Sequence, residues 1–378
     1  MLNGNETIYQ IFVRNYSFEG TFKAVENDII RIKELGVDII YLMPINEIGL
    51  KNRKGTYGSP YASKDYFSIS KDLGTIKDLK SLINTVHKNG MKIIVDMVFN
   101  HTAPDSVLFF EHPEFYFKKK DGSVGNRVGD WSDIIDLDTT RLDTQDYLIS
   151  VLEYWKNVGF DGYRFDVASM IDFSFFKKAR EKLGSDVIFL SESIDDSFSD
   201  YVKSLGIYST PDEKMFPVFD CLYNYSWYRP LENYLKNNGD ITDVIKNINR
   251  DKLVMPSNYL RCNCLENHDN DRIASLLKDK EVLKEWTKFS YYLKGCPFIY
   301  AGQEYGIMIK PDLFEKNPID WEKKDMDIFE LHKELIDKKH IEKKYDFDYC
   351  YKKDNSVIVE KITNGNIYEN KEFFLLKK

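Results

Sequence analysis

No apolar run in this 378-residue chain is long enough to span a bilayer. Its opening stretch, MLNGNETIYQIFVRNYS, has neither a charged leader nor an apolar segment of signal length. A soluble protein in the reducing cytoplasm is therefore the expectation. There is no basic block either: acidic residues outnumber basic ones by 61 to 53, for a net charge of −8. Nucleic acid and anionic membrane are poor partners for such a chain. Cysteine is sparse and odd in number. Cys221, Cys262, Cys264, Cys296 and Cys350 lack zinc-ligand spacing, and Cys262-x-Cys264 reads as small apolar residues on a strand. Internal repeats and low-complexity tracts are absent too.

Aromatic residues, by contrast, reach 15%, which suits a large core or a cleft that stacks on flat ligand faces. Short apolar runs alternate with amphipathic stretches along most of the chain. The candidate strands are TIYQIFV, VDIIYLMP, MKIIVDMVF, GYRFDVA, DVIFLSE, a weaker FPVFDC, YLRCNCLE and PFIYAG. Several intervening helical patterns end in glycine (Gly36, Gly90, Gly159, Gly184), an expected helix C-terminal signal. Parallel neighbours need helical crossovers, so eight such units predict an α/β fold of the closed (β/α)8 TIM-barrel type. A doubly wound open sheet is the alternative, but no Gly-rich nucleotide fingerprint follows the first strand. The expected organisation is a barrel from residues 1–101 and 140–340. A short excursion, 102–139, follows strand three, and a reduced C-terminal β segment occupies 341–378.

One stretch resists a purely structural reading. In VGFDGYRFDVASM, Arg164 and Asp166 share one face of a strand that otherwise looks buried. Other polar residues collect at strand ends: Asp96, Asn100 and His101 on strand three, Glu192 on strand five, His268 and Asp269 on strand seven, Gln303 and Glu304 after strand eight. In a (β/α)8 barrel all these ends open on one face, the usual place for an active site. A lone Arg-x-Asp is more often a structural ion pair, and a lone histidine a satisfied one. Their coincidence on four strands points to catalysis. Two facing carboxyl groups suffice to cleave a glycosidic bond, one protonating the leaving oxygen and the other attacking or activating water. Arg164 is expected to lower the pKa of Asp166, and the apolar VIFLS before Glu192 to raise that of Glu192.

DMVFNH, GYRFDVA, FLSES and ENHDND together resemble the four signature segments of the α-amylase family, glycoside hydrolase family thirteen, in order and spacing. GSPYASKDYFSI, IIDLDT and FIYAGQEYG extend the resemblance over about residues 6 to 340, closest in character to intracellular α-glucosidase and oligo-1,6-glucosidase members. It implies Asp166 as nucleophile, Glu192 as general acid/base and Asp269 as the third catalytic carboxylate. Arg164, His101, His268 and Tyr61 would bind substrate or orient the nucleophile, and Asp96 would support the barrel mouth. The implied reaction is retaining cleavage of α-1,4 or α-1,6 bonds in a short glucooligosaccharide, with catalytic carboxyls roughly 5 Å apart. No cofactor is required. Asn100 and Asp136 match residues that hold a structural calcium in many members, whereas glucosidases of the family often lack that ion. Three departures qualify the likeness: Ser169 and Met170 replace a Lys-His pair of endo-acting amylases, Val167 follows the nucleophile, and the C-terminal segment is short. A transglycosylase or glucosyl isomerase would use the same residues. A metal-dependent barrel enzyme and an inactive relative are more distant rivals.

Overall fold

The computed structural model describes residues 2–129 and 131–378; Asp130, inside the excursion, lies outside the described residues. Eight parallel strands close into a barrel: β1 Ile8–Ile11, β2 Ile39–Leu42, β3 Lys92–Met97, β4 Gly162–Phe165, β5 Ile188–Ser191, β6 Cys221–Tyr223, β7 Arg261–Asn263 and β8 Gly295–Tyr300. Each pairs with its sequence neighbours, and β1 closes the ring against β8. The open-sheet alternative is excluded.

β4 shows how the sequence builds this arrangement. Tyr163 and Phe165 point outward, and Phe165 packs edge-on against Phe175 and Phe176 of the helix Phe173–Leu183, at ring-centroid distances of 6.4 and 5.1 Å. Arg164 points the other way, into the barrel, because successive strand residues face opposite sides. The register then sets Arg164 beside Asp96 of β3 and Leu190 of β5. The ladder continues past the strand ends, with Asp166 N–H donating to Met97 O (3.0 Å) and Glu192 N–H to Phe165 O (3.1 Å). Those two bonds deliver both carboxyls to the same rim.

The sixth strand is not FPVFDC, as expected from the sequence, but the three residues that begin at its last position. Phe219 instead packs on Phe176 at 4.7 Å. Asp220 then accepts hydrogen bonds from Arg180 and from the Phe189 N–H, both 2.9 Å, at the start of the strand. Two helices, Tyr225–Lys236 and Ile241–Val254, fill the stretch before β7. The aromatic run Tyr225, Trp227, Tyr228 reads locally as strand, and Pro230 within the first helix reads as a breaker. Burial of Trp227, Tyr228 and Leu231 outweighs both signals.

The excursion carries a two-stranded ladder that pairs His101–Thr102 with Ile135–Asp136. Beyond the helix Met326–His340 lies an antiparallel sheet of β9 Phe347–Lys353, β10 Ser356–Thr363 and β11 Asn366–Phe374. It is tied to the barrel by reciprocal 2.7 Å bonds between Asn249 and the Cys350 backbone, and by Lys294 N–H to Asp348 Oδ2 at 2.8 Å. All five cysteines are buried free thiols. Among the described residues no helix is long and apolar enough to cross a membrane.

Gly162 is the tightest point of β4, since a Cβ there would sit 2.2 Å from Ile188 O on the neighbouring strand. Gly162→Ala should push β4 from β5, the strands that carry Asp166 and Glu192. The expected loss is about 2–4 kcal/mol of stability, measured by urea denaturation, with a larger proportional loss of activity.

Candidate active site

The buried guanidinium of Arg164 organises the barrel mouth. Its Nη1 donates to Asp96 Oδ1 and Oδ2 at 2.8 and 2.9 Å, and to Asp166 Oδ1 at 2.8 Å. Nη2 lies 2.9 Å from Glu192 Oε2, a charge contact without hydrogen-bond alignment. The rings of Tyr61 and Tyr223 face it at 5.8 and 5.5 Å. Glu192 Oε2 also accepts the Val167 N–H at 2.7 Å. Val167 makes that bond from the left-handed region (φ 42°), an unusual conformation for a β-branched residue.

This geometry corrects the expectation for Asp166. Burial and the charge of Glu192 raise its carboxyl well above the ordinary range, and Arg164 only partly offsets them. Glu192 is also raised, first by burial, with Arg164 offsetting part of the rise. The charge of Glu192 disfavours ionisation of Asp166, and burial disfavours ionisation of both.

A chain of polar contacts flanks the pair. Gln10 Nε2 donates to His268 Nδ1 at 2.9 Å, which leaves the imidazole proton on Nε2. That nitrogen meets the Tyr61 hydroxyl at 2.7 Å, and the hydroxyl donates to Asp96 Oδ2 at 2.9 Å. Tyr61 and His268 also stack, with ring centroids 5.1 Å apart. Asp269 Oδ2 lies 3.2 Å from His268 Nε2 and is the most open of the acids, with 41% of its side chain exposed. Burial lowers His268 to about 3 and His101 to about 4, so both imidazoles are neutral near pH 7.

Asp166, Glu192, Asp269, Tyr61, His101 and His268 all line one cavity of about 390 Å3, while Arg164 and Asp96 lie beneath it. Gln303 and Glu304, grouped with the rim by sequence, turn elsewhere. Gln303 caps the Tyr300 N–H, and Glu304 is buried against Tyr9 (2.6 Å) and Arg31 (2.9 Å). Conversely, Lys54, Asp133 and Arg229 line the cavity although no strand end announced them. Ser169 and Met170 are buried, Met170 against Val128 and Val202, so neither offers a cation to the cleft. A larger cavity, about 710 Å3, lies at the opposite face, beside the starts of β1, β7 and β8, and holds none of the site carboxylates.

Asn100 and Asp136 do come together, Asn100 O accepting from Leu137 N–H, and Asn100 Oδ1 and Asp136 Oδ1 are buried without hydrogen-bond partners. Asp136 Oδ2, however, already accepts the Arg127 N–H at 2.7 Å and its Nε at 3.3 Å, and the Arg127 guanidinium reaches Leu137 O. Calcium takes roughly six to eight oxygen ligands, usually including several carboxylates. Among the described residues no cluster of three His, Cys, Asp or Glu suited to a metal exists. One carboxylate, already paired with a guanidinium, does not fit the ion.

A closed parallel barrel with acids, an arginine and neutral imidazoles gathered at the C-terminal mouth has the layout of a barrel enzyme. The α-amylase catalytic-domain profile matches residues 3–125 and 128–356, and the chain belongs to that family. The solved structure of an α-amylase from Lactobacillus plantarum superposes with a TM-score of 0.88 and 36% identity, covering 95% of this chain and 88% of that one. A noncanonic maltogenic α-amylase from Thermotoga neapolitana gives 0.81 and 29%, covering 95% and 86%. By sequence, α-amylase 2 of Dictyoglomus thermophilum is 26% identical over 341 residues, 84% of this chain. The chain spans 56–60% of the length of the first curated relatives it matches.

Arg164→Met would leave buried carboxylates without their shared cation. It should cost about 3–5 kcal/mol of stability, read by urea denaturation, and abolish any activity at this site.

Proposed function

We propose that the chain is a retaining glycoside hydrolase acting on α-glucosidic bonds of short glucooligosaccharides. The observation that carries this reading is that Asp166 and Glu192 contact the two terminal nitrogens of one guanidinium, at 2.8 and 2.9 Å. An inverting enzyme keeps its carboxyls roughly 6.5–9.5 Å apart to seat a water, whereas two carboxyls gathered on one guanidinium suit the roughly 5 Å spacing of a retaining one. Asp166, aligned on Arg164, acts as nucleophile and bonds to the anomeric carbon. Glu192, not so aligned and raised by burial, carries a proton and gives it to the leaving oxygen. In the second half-reaction Glu192 takes a proton from water, which displaces Asp166 from the sugar. The negative cluster of Asp96, the carboxyl pair and Asp269, only partly neutralised by Arg164, stabilises the oxocarbenium-like transition state between the two halves. The stacked pair Tyr61 and His268, together with His101, presents a neutral wall to the sugar. The amylases it resembles support an α-glucan substrate, and the modest cavity supports a short one. Arg127 supplies at Asp136 the positive charge that calcium brings in other members, so catalysis needs no metal.

Incubation with maltose, isomaltose and maltotriose should release glucose or maltose with retained α configuration, followed by chromatography and NMR. Asp166→Asn should lose at least about a thousandfold. If longer oligosaccharides accumulate instead, the transglycosylase alternative holds. The pH dependence follows from the raised pair. Above the ordinary carboxyl range the pair still holds its proton, so kcat/KM falls only as pH rises through the raised value. Glu192→Gln should remove that basic limb while turning over α-glucosyl fluoride, whose leaving group needs no proton.

A strong chelator should leave the melting temperature unchanged, whereas Arg127→Ala should lower it by several degrees, about 1–2 kcal/mol. A drop in melting temperature on chelation, reversed by calcium, would overturn the metal-free reading.

A further inference from the structure

The two ends of the cleft differ chemically, given the roles proposed above for Asp166 and Glu192. Glu192 protonates the leaving oxygen, so the departing chain lies on its side, along Val167, Ile194, Asp195 and Phe198. The glucosyl unit attacked by Asp166 lies toward Tyr61, His101 and His268. Beyond that unit the cavity is lined by Lys54 of the segment 49–58, which follows β2, and by Asp133 and Phe314 of the two loops that this segment touches.

This segment is fastened on both sides. Toward the excursion, Leu50 N–H donates to Asp105 Oδ2 (2.8 Å) and Asn52 Nδ2 to Ser132 O (2.8 Å). Lys54 Nζ pairs with the buried Asp133 at 2.7 Å. Toward the loop after β8, Tyr57 N–H donates to Phe314 O and Thr56 N–H to Glu315 Oε1, both at 2.9 Å. Buried Arg14 clamps the joint from below, donating to Gly58 O at 3.0 Å and Leu313 O at 3.2 Å. The approach is close enough that a Cβ on Gly55, whose φ is +60°, would sit 2.7 Å from Phe314 Cβ. Three loops that would be separate in an open groove are therefore joined into one wall, and Lys54, Asp133 and Phe314 from those three loops all line the cavity.

We propose that residues 49–58 are a strap that closes the glycone end, so that the site accepts only the non-reducing terminus of an α-glucan and acts in the exo direction. Lys54 and Asn52 are specificity-determining rather than catalytic. They hold the strap on the excursion, and Lys54 also faces the terminal sugar. An open cleft would bind internal segments of a long chain, but a wall one or two sugars beyond Asp166 excludes any chain that continues past it. The inference rests on the glycosidase reading, and the test separates the two.

The wild-type protein is given maltoheptaose and the same oligosaccharide capped at its non-reducing end by an ethylidene acetal, with products separated by chromatography. Uncapped substrate should be cleaved at least about tenfold faster, with small products from the first turnovers. In the Asn52→Ala/Lys54→Ala variant, which removes two of the strap's three ties to the excursion while leaving the Leu50–Asp105 bond, Arg14 and the contacts to the loop after β8 in place, the ratio should narrow severalfold through gain on the capped substrate. Equal rates on both substrates by the wild type would overturn the strap while leaving the glycosidase reading intact. An unchanged ratio in the variant would overturn the role of Asn52 and Lys54. No cleavage of either substrate by folded protein would overturn the glycosidase reading itself, and the strap with it.

Discussion

The barrel mouth depends on one buried positive charge and the acids gathered around it. A guanidinium shielded from water is tolerated only where paired carboxylates and aligned acceptors replace its hydration. Arg164 finds Asp96 across one strand boundary, Asp166 two residues along its own strand, and Glu192 across the other boundary. Each contact demands a particular register. A one-residue slip of β4 against β3 would turn Arg164 outward into the aromatic layer and Phe165 inward. The electrostatics of the site and the packing of the barrel wall therefore select the same alignment.

That alignment also explains the chemistry. A single cation among several acids leaves the cluster short of positive charge. Burial raises both Asp166 and Glu192, and Glu192 raises Asp166 further, so the two carboxyls sit in the environment that the proposed acid and nucleophile roles require. Asp96 lies deeper, hydrogen-bonded by Tyr41 at 2.6 Å as well as by Tyr61 and Arg164, with no free face toward a substrate. Asp269 stands apart at the solvent edge. Burial thus sorts four carboxyls of similar intrinsic acidity into different tasks.

Arginine has a second structural use at the periphery. Arg127 sits on Asp136 in the excursion, and Arg14 joins the segments around Gly58 and Leu313. Both hold irregular backbone by donating to carbonyls, which the planar, multi-donor guanidinium does well. The C-terminal sheet is held by similar local means, through Asn249, Lys294 and the Trp286 contact with Lys377 O at 2.8 Å.

Much of this was legible along the chain. Alternation within YRFDVA announced a strand with one polar face, and the clustering of acids and histidines at strand ends marked the rim, because both signals lie within a few consecutive residues. Gln303 and Glu304 carried the same signal yet turn away from the cleft, since the turn after β8 redirects them. The first helix between β6 and β7 carries an aromatic run and a proline whose local preferences tertiary burial overrides. The raised pKa of Asp166 was misread because Arg164 is its neighbour in sequence, whereas Glu192 and the low-dielectric surroundings are neighbours only in space. By itself the sequence determined the barrel strands other than the sixth, their faces and the inventory of chemical groups. The tertiary structure alone decided which carboxyls gather on Arg164, which oxygens accept from Arg127, and how residues 49–58 bridge two distant loops. Those outcomes depend on burial and on charge separations of a few ångströms between segments far apart in the chain.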